Sequence, residues 1–199
     1  MTPMPAVPVP GPRFNFAQHL IDRNAGRASK AAFIDDLGAL TYGVLAERIR
    51  RMAAALLAAG VRREERVLLL MHDCVDWPVS FLGAMYAGIV PVAVNTVLSI
   101  DDYVYMLAHS RSRAVLVSAA LLPTLRSALA IAEHEVKTVV VSLPAGPLDG
   151  AMVALDTLVS NHAPLAEPAG TAPDDPGFWL YSSGSTGRPK GALHTHANP

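Results

Sequence analysis

Apolar positions along the chain switch repeatedly between helical and strand spacing. Asn15 stands before Phe16, Leu20 and Ile21, the pattern of a short capped helix. Ala31–Ile34 and Ala39–Thr41 flank Asp35-Asp36-Leu37-Gly38, which predicts a hairpin. Leu45, Ile49, Met52, Leu56 and Leu57 then recur at helical spacing, with Arg48, Arg50 and Arg51 off that stripe and Gly60 as the stop. Arg66–Met71 carries an unbroken apolar run, as expected of a strand covered on both faces. A helix over Asp76–Ala87 and a strand over Val90–Val94 follow. Ser99, with Asp102 three residues on, predicts a cap for a helix through Ala108. Next come a strand at Ala114–Val117, a helix over Ala119–Ala132 and a strand at Thr138–Ser142. This alternation is that of crossover units on a mostly parallel sheet, an α/β fold.

Beyond Ser142 the pattern weakens. Six prolines lie between Pro144 and Pro176, around a weak helix near Met152–Val159, and this stretch reads as a looser connector. Phe178–Tyr181 is a last buried strand, and no internal repeat is visible. At the other end, the first twelve residues hold five of the sixteen prolines and no charge, so residues 1–13 read as a disordered, extended arm and not as a secretory signal. Trp77–Ile100 is twenty-four residues without a charge, long enough to span a membrane. Pro91, Gly88, Asn95, Thr96 and Ser99 interrupt it, and a helix followed by a strand accounts for it better.

Composition narrows the functional classes. The 199 residues are 51% hydrophobic, with 16 Lys+Arg against 17 Asp+Glu and a net charge of −1. That much apolar surface argues against general disorder, and the charge balance argues against a nucleic-acid partner. A single cysteine, Cys74, excludes an internal disulfide framework and fits a reducing, cytoplasmic setting.

The chemistry concentrates in one loop. Tyr181–Gly191 reads Y-S-S-G-S-T-G-R-P-K-G, directly after an aromatic strand. Glycines let backbone N–H groups approach an anion, small hydroxyls add donors, and Arg188 and Lys190 supply positive charge for a polyphosphate. A Ser/Gly linker has similar composition, but linkers do not normally sit between an aromatic strand and a further apolar stretch. The G-x-x-x-x-G-K-[ST] nucleotide loop does not fit. Counting from Gly184, Pro189 takes the second glycine position and Gly191 stands where a magnesium-binding hydroxyl is needed.

The string S-S-G-S-T-G-R-P-K-G resembles the phosphate-loop signature of the adenylate-forming superfamily of acyl- and aryl-CoA ligases, luciferases and peptide-synthetase adenylation domains. Leu40-Thr41-Tyr42 resembles the L-T-Y that opens that family's first long helix. Gly83–Val92 resembles its G-x-x-x-x-G-x-x-x-V corner. The wider context Phe178–Pro199 is most similar to benzoate–CoA ligases, and the likeness runs from about Phe14 to Pro199. One departure is Val44, where the family often has an acidic residue at the helix start.

The resemblance implies a two-step activation of an aromatic carboxylic acid with ATP, Mg2+ and coenzyme A. The acid forms an acyl-adenylate and releases pyrophosphate, and the thiol of coenzyme A then displaces AMP. Carried over by position, Ser182, Ser183, Gly184, Ser185, Thr186, Gly187 and Lys190 would embrace the β- and γ-phosphates. The family's adenine shelf, acidic magnesium ligand, ribose-binding aspartate and C-terminal domain with its catalytic lysine lie further on. Residues 14–199 are therefore expected to be a partial N-terminal AMP-binding domain, with the C-terminal domain absent, no catalytic residue of its own and no activity alone. Alternatives are a short- or medium-chain acyl-CoA ligase fragment, which shares the loop, and a non-catalytic truncated binding module.

Other clusters carry less. His194 and His196 form an H-x-H that could ligate metal from one face of a strand, but lack further ligands nearby, so no metal site is expected. His72, Asp73, Cys74 and Asp76 have the residue types of Cys–His chemistry, yet adjacent side chains on a strand diverge, and a buried or rim cysteine is the better reading. Arg48, Arg50, Arg51, Arg62, Arg63 and Arg66 interleave with Glu47, Glu64 and Glu65, which predicts a solvated helix face.

Overall fold

A computed structural model describes residues 10–182 and 187–198. Among them, six α-helices accompany a two-stranded hairpin and a seven-stranded sheet. The chain enters through α1 (Phe16–Asn24), the hairpin β1 (Ala31–Asp35) and β2 (Gly38–Thr41), and α2 (Tyr42–Ala58). Alternation then sets in with β3 (Arg66–Leu70), α3 (Asp76–Tyr86), β4 (Val90–Ala93), α4 (Ile100–Ser110), β5 (Ala114–Ser118), α5 (Leu122–Ile131) and β6 (Thr138–Ser142). β7 (Met152–Ala154), α6 (Leu155–Ser160), β8 (Pro176–Ser182) and β9 (Lys190–Thr195) complete it.

The large sheet has the order β7-β6-β5-β3-β4-β8-β9. All neighbours run parallel except β9, which returns antiparallel along β8. Strand alternation sorts the core into two layers. Val67, Leu69, Ala114, Leu116, Val140 and Phe178 pack with α1, α2, α3 and α6 on one face. Leu68, Leu70, Val92, Val115, Val117 and Val141 pack with α4 and α5 on the other. Burial on both faces is why the central strands read as unbroken apolar runs.

Helix starts follow local chemistry. Asn15 Oδ1 accepts the Gln18 N–H at 3.2 Å, while its amide donates to the Met85 carbonyl at 2.9 Å and so pins α1 to the end of α3. Ser99 and Asp102 form the reciprocal capping box expected at α4. The uncharged run Trp77–Ile100 divides into most of α3, then β4 and a loop, and among the described residues no helix is long and apolar enough to cross a membrane.

Several expectations need correction. The weak helix near Met152–Val159 is instead β7 followed by α6, because Val139–Val141 offer three residues a parallel edge to pair with. The helix expected over Ala119–Ala132 begins as a 3-10 turn, Ala119–Leu121, with Pro123 in the first turn of α5. The connector after Pro144 is not loose along its length. Leu165 N–H donates to the Arg50 carbonyl, Ala169 N–H to Tyr86 and Phe14 N–H to Thr171, all within 3.1 Å. The expected Pro-rich arm falls largely on residues 1–9, outside the described residues.

Candidate phosphate site

β8 lies beside β4 and ends at the carboxyl end of the parallel strands, the edge where ligands of open α/β sheets gather. Ser182 closes β8, and Lys190, which opens β9, is its register partner across the hairpin. The described flanks of the loop therefore leave the sheet at this edge as two paired legs. Ser183, Gly184, Ser185 and Thr186 lie outside the described residues. Gly187 has φ of +86°, a left-handed conformation that favours glycine. Lys190 is exposed, with no salt-bridge partner among the described residues.

Two of the open clefts around the loop meet at Asn95 and Tyr181. One, about 500 Å³, is bounded by Met71, His72, Trp77, Asn95, Thr96 and Tyr181 at the ends of β3, β4 and β8. The other, about 390 Å³, lies between the α4 side and the loop and is lined by Asn95, Leu98, Asp102, Met106, Tyr181, Ser182, Gly187 and Pro189. Both are broad and open to solvent, with volumes in the range of small-molecule sites.

Alternation along β8 splits its aromatic residues. Phe178 faces the α3 side, stacking on His194 at 4.4 Å between centroids and meeting Phe81 at 5.3 Å. Trp179 and Tyr181 face α4, where His109 stacks over Trp179 at 5.8 Å and its Nδ1 lies 2.8 Å from the Tyr181 hydroxyl. Burial, with the nearby Tyr105 as a lesser cause, pushes the Tyr181 phenol well above its ordinary range, so it remains a hydrogen-bond donor at neutral pH. Arg188 does not extend freely into the loop mouth; its guanidinium sits over the Tyr105 ring at 5.3 Å. Sequence reasoning missed Tyr105 and His109. The available signal was an i, i+4 aromatic pair on a helix whose other face is buried.

The remaining candidates separate. His194 lies on β9, whereas His196 follows the strand, is fully buried and accepts the Phe16 N–H at Nδ1. Among the described residues no three His, Cys, Asp or Glu side chains gather as metal ligands. His72, Asp73 and Cys74 lie past the end of β3, not on a strand. His72 and Asp73 are exposed and Cys74 is a half-buried free thiol. Asp76 turns inward to Arg48 and Ser142. Arg48 is thus a structural partner and not one of a row of solvated charges.

A sequence model described as AMP-binding enzyme matches residues 21–199. The chain is 43% identical over 200 aligned positions to benzoate–CoA ligase of Thauera aromatica, covering 98% of this chain and 36% of that protein. It is 40% identical over 188 residues to 4-hydroxybenzoate–CoA/benzoate–CoA ligase of Rhodopseudomonas palustris, covering 94% and 34%. A crystal structure of a benzoate CoA ligase from Burkholderia xenovorans LB400 superposes with a TM-score of 0.82 at 49% identity, over 92% of this chain and 35% of that one. The chain spans about a third of the length of these relatives.

Proposed function

Because the chain belongs to the family of AMP-binding enzymes, we propose that it supplies the triphosphate-gripping part of an ATP-dependent aromatic carboxylate–CoA ligase. The observation that carries this reading is the Ser/Gly/Lys loop held on paired strands at the carboxyl edge of a parallel sheet, with Lys190 opposite Ser182. Relatives named for benzoate and hydroxybenzoate support the choice of acid.

In the first half-reaction a carboxylate oxygen bonds to the α-phosphorus of ATP as the bond to the bridging oxygen breaks, and pyrophosphate departs with added charge. Lys190 offsets that charge, and the small side chains of Ser182, Ser183, Ser185 and Thr186, with Gly184 and Gly187, leave backbone and hydroxyl donors free to hold the β- and γ-phosphates. In the second, the sulfur of coenzyme A bonds to the acyl carbon and AMP leaves. Magnesium would arrive with ATP; the described residues gather no acidic set to hold it. Neither half-reaction is assigned a catalytic side chain within these residues.

The test is benzoate-dependent exchange of labelled pyrophosphate into ATP, measured on the product of the reading frame containing this chain, from start to stop codon. The expected result is exchange that requires an aromatic acid and falls at least tenfold in Lys190→Ala. Exchange indifferent to aromatic acids, or a Lys190→Ala variant with wild-type kinetics, overturns the reading.

A further inference from the structure

The two legs of the loop are gripped by one face of one helix. Tyr105 and His109 stand a single turn apart on α4, so their rings share a face and stack on each other at 5.2 Å. His109 takes the Tyr181 hydroxyl, one residue before the loop's Ser182, at 2.8 Å. Tyr105 takes the Arg188 guanidinium, two residues before Lys190, over its ring.

The helix beneath them is itself fixed. Its first turn is locked by the Ser99–Asp102 capping box, and Tyr103 donates to the Asn95 carbonyl at 2.8 Å. Tyr103, Met106 and Leu107 are buried against the sheet. The outward ring pair is thus mounted on a rigid element, as a positioning group needs to be.

We propose that Tyr105 and His109 are positioning residues for the phosphate loop, and that Arg188 anchors the loop to α4 and is not a phosphate ligand. The His109–Tyr181 contact sets the outgoing leg and the Tyr105–Arg188 contact sets the return leg. Lys190 is then the loop cation left to face the polyphosphate. The consequence for ATP rests on the function proposed above; the anchoring itself does not.

Cleavage by trypsin after Lys190 reads the anchoring without nucleotide, because the bond is cut only when the return leg opens. Arg188 precedes proline and is not a competing site. In the 199-residue chain under native conditions, Tyr105→Leu, His109→Ala and Arg188→Gln each speed this cut at least threefold, and Tyr105→Leu/His109→Ala at least tenfold. Cleavage after Arg23 and Arg126, which reports wider unfolding, stays within twofold of wild type. Tyr105→Phe, which keeps the ring, retains the wild-type rate. A parallel rise at all three sites, an unchanged rate after Lys190, or Tyr105→Phe behaving like Tyr105→Leu overturns the proposal. In the exchange assay the leucine and alanine variants raise KM for ATP at least threefold and leave kcat within twofold. If exchange is absent from the wild type, the functional reading falls while the cleavage ratios still decide the anchoring.

Discussion

Arg48 on α2 reaches Asp76 at the start of α3 at 2.7 Å, and the second oxygen of that carboxylate accepts the Ser142 hydroxyl at 2.6 Å from the end of β6. One buried carboxylate thus ties two helices to the sheet. Arg48 also meets Asp156 at 2.8 Å, but that partner is 75% exposed. Removing Asp76 strands a largely buried guanidinium and a buried hydroxyl, so Asp76→Ala is expected to cost about 3 kcal/mol. Asp156→Ala, screened by water, is expected to cost under about 0.5 kcal/mol. Urea midpoints at constant m-value check both, and equal costs would show that burial does not govern this triad.

His196 gives the fold a pH dependence of defined sign. Burial is the main cause that lowers its pKa from 6.5 to about 4, with Arg63 acting the same way and Asp175 opposing. The folded state therefore holds the ring neutral, while the unfolded chain takes up a proton below about pH 6.5. The associated stability is fully present above that pH and declines as pH falls toward about 4, by roughly 3 kcal/mol in all. Asp35, Glu65 and Glu135, each held below the ordinary carboxylate value, act in the same direction only at lower pH. Urea unfolding between pH 7 and 5 isolates the histidine: wild type loses stability across this window, and His196→Gln is expected to be nearly flat.

Gly83 shows why a small residue stands in the corner sequence Gly83–Val92. A Cβ there would meet Met52 Cγ at 2.5 Å and Met52 Cβ at 2.7 Å, where α3 crosses α2. Gly83→Ala gains up to about 1 kcal/mol of helix propensity but overpacks a contact with no room to give. The net expectation is a loss of about 1–2 kcal/mol, seen as a lower midpoint in thermal or urea unfolding. An unchanged or raised midpoint would mean that α2 and α3 separate at little cost.

The elements most legible in the sequence were those whose signal is local or saturated by burial. Val67–Leu70, Ala114–Val117 and Val139–Val141 are apolar on both faces because both are covered, and Ser99 with Asp102 states its cap within four residues. The Ser/Gly/Lys loop stands out in the sequence by its composition and by its place after an aromatic strand. β7 was not, since three residues adopt strand geometry only because β6 offers an edge. β9 was not either: Gly191-Ala192-Leu193-His194 has no clear alternation, and its pairing depends on β8. The contacts of Arg188 with Tyr105 and of His109 with Tyr181 join residues more than seventy positions apart, which no spacing rule reaches.

The β8–β9 hairpin makes a final prediction about the 199-residue chain. β9 is one edge of the seven-stranded sheet, and Leu193 lies opposite Trp179 on its α4 face, 53% exposed. Leu180 lies on the opposite face at 40% exposure. An edge that presents unpaired backbone beside apolar side chains is a template for pairing with another copy. The chain is therefore expected to self-associate as its concentration rises, with Leu193→Lys shifting it toward monomer because a lysine blunts such an edge. Light scattering coupled to size-exclusion chromatography measures the shift. Gly177→Ala supplies the opposing arm: its Cβ would stand 2.9 Å from the Thr195 carbonyl, prising β9 away and making association worse. A chain that stays monomeric, or one whose association ignores both substitutions, would place the sticky surface elsewhere than this edge.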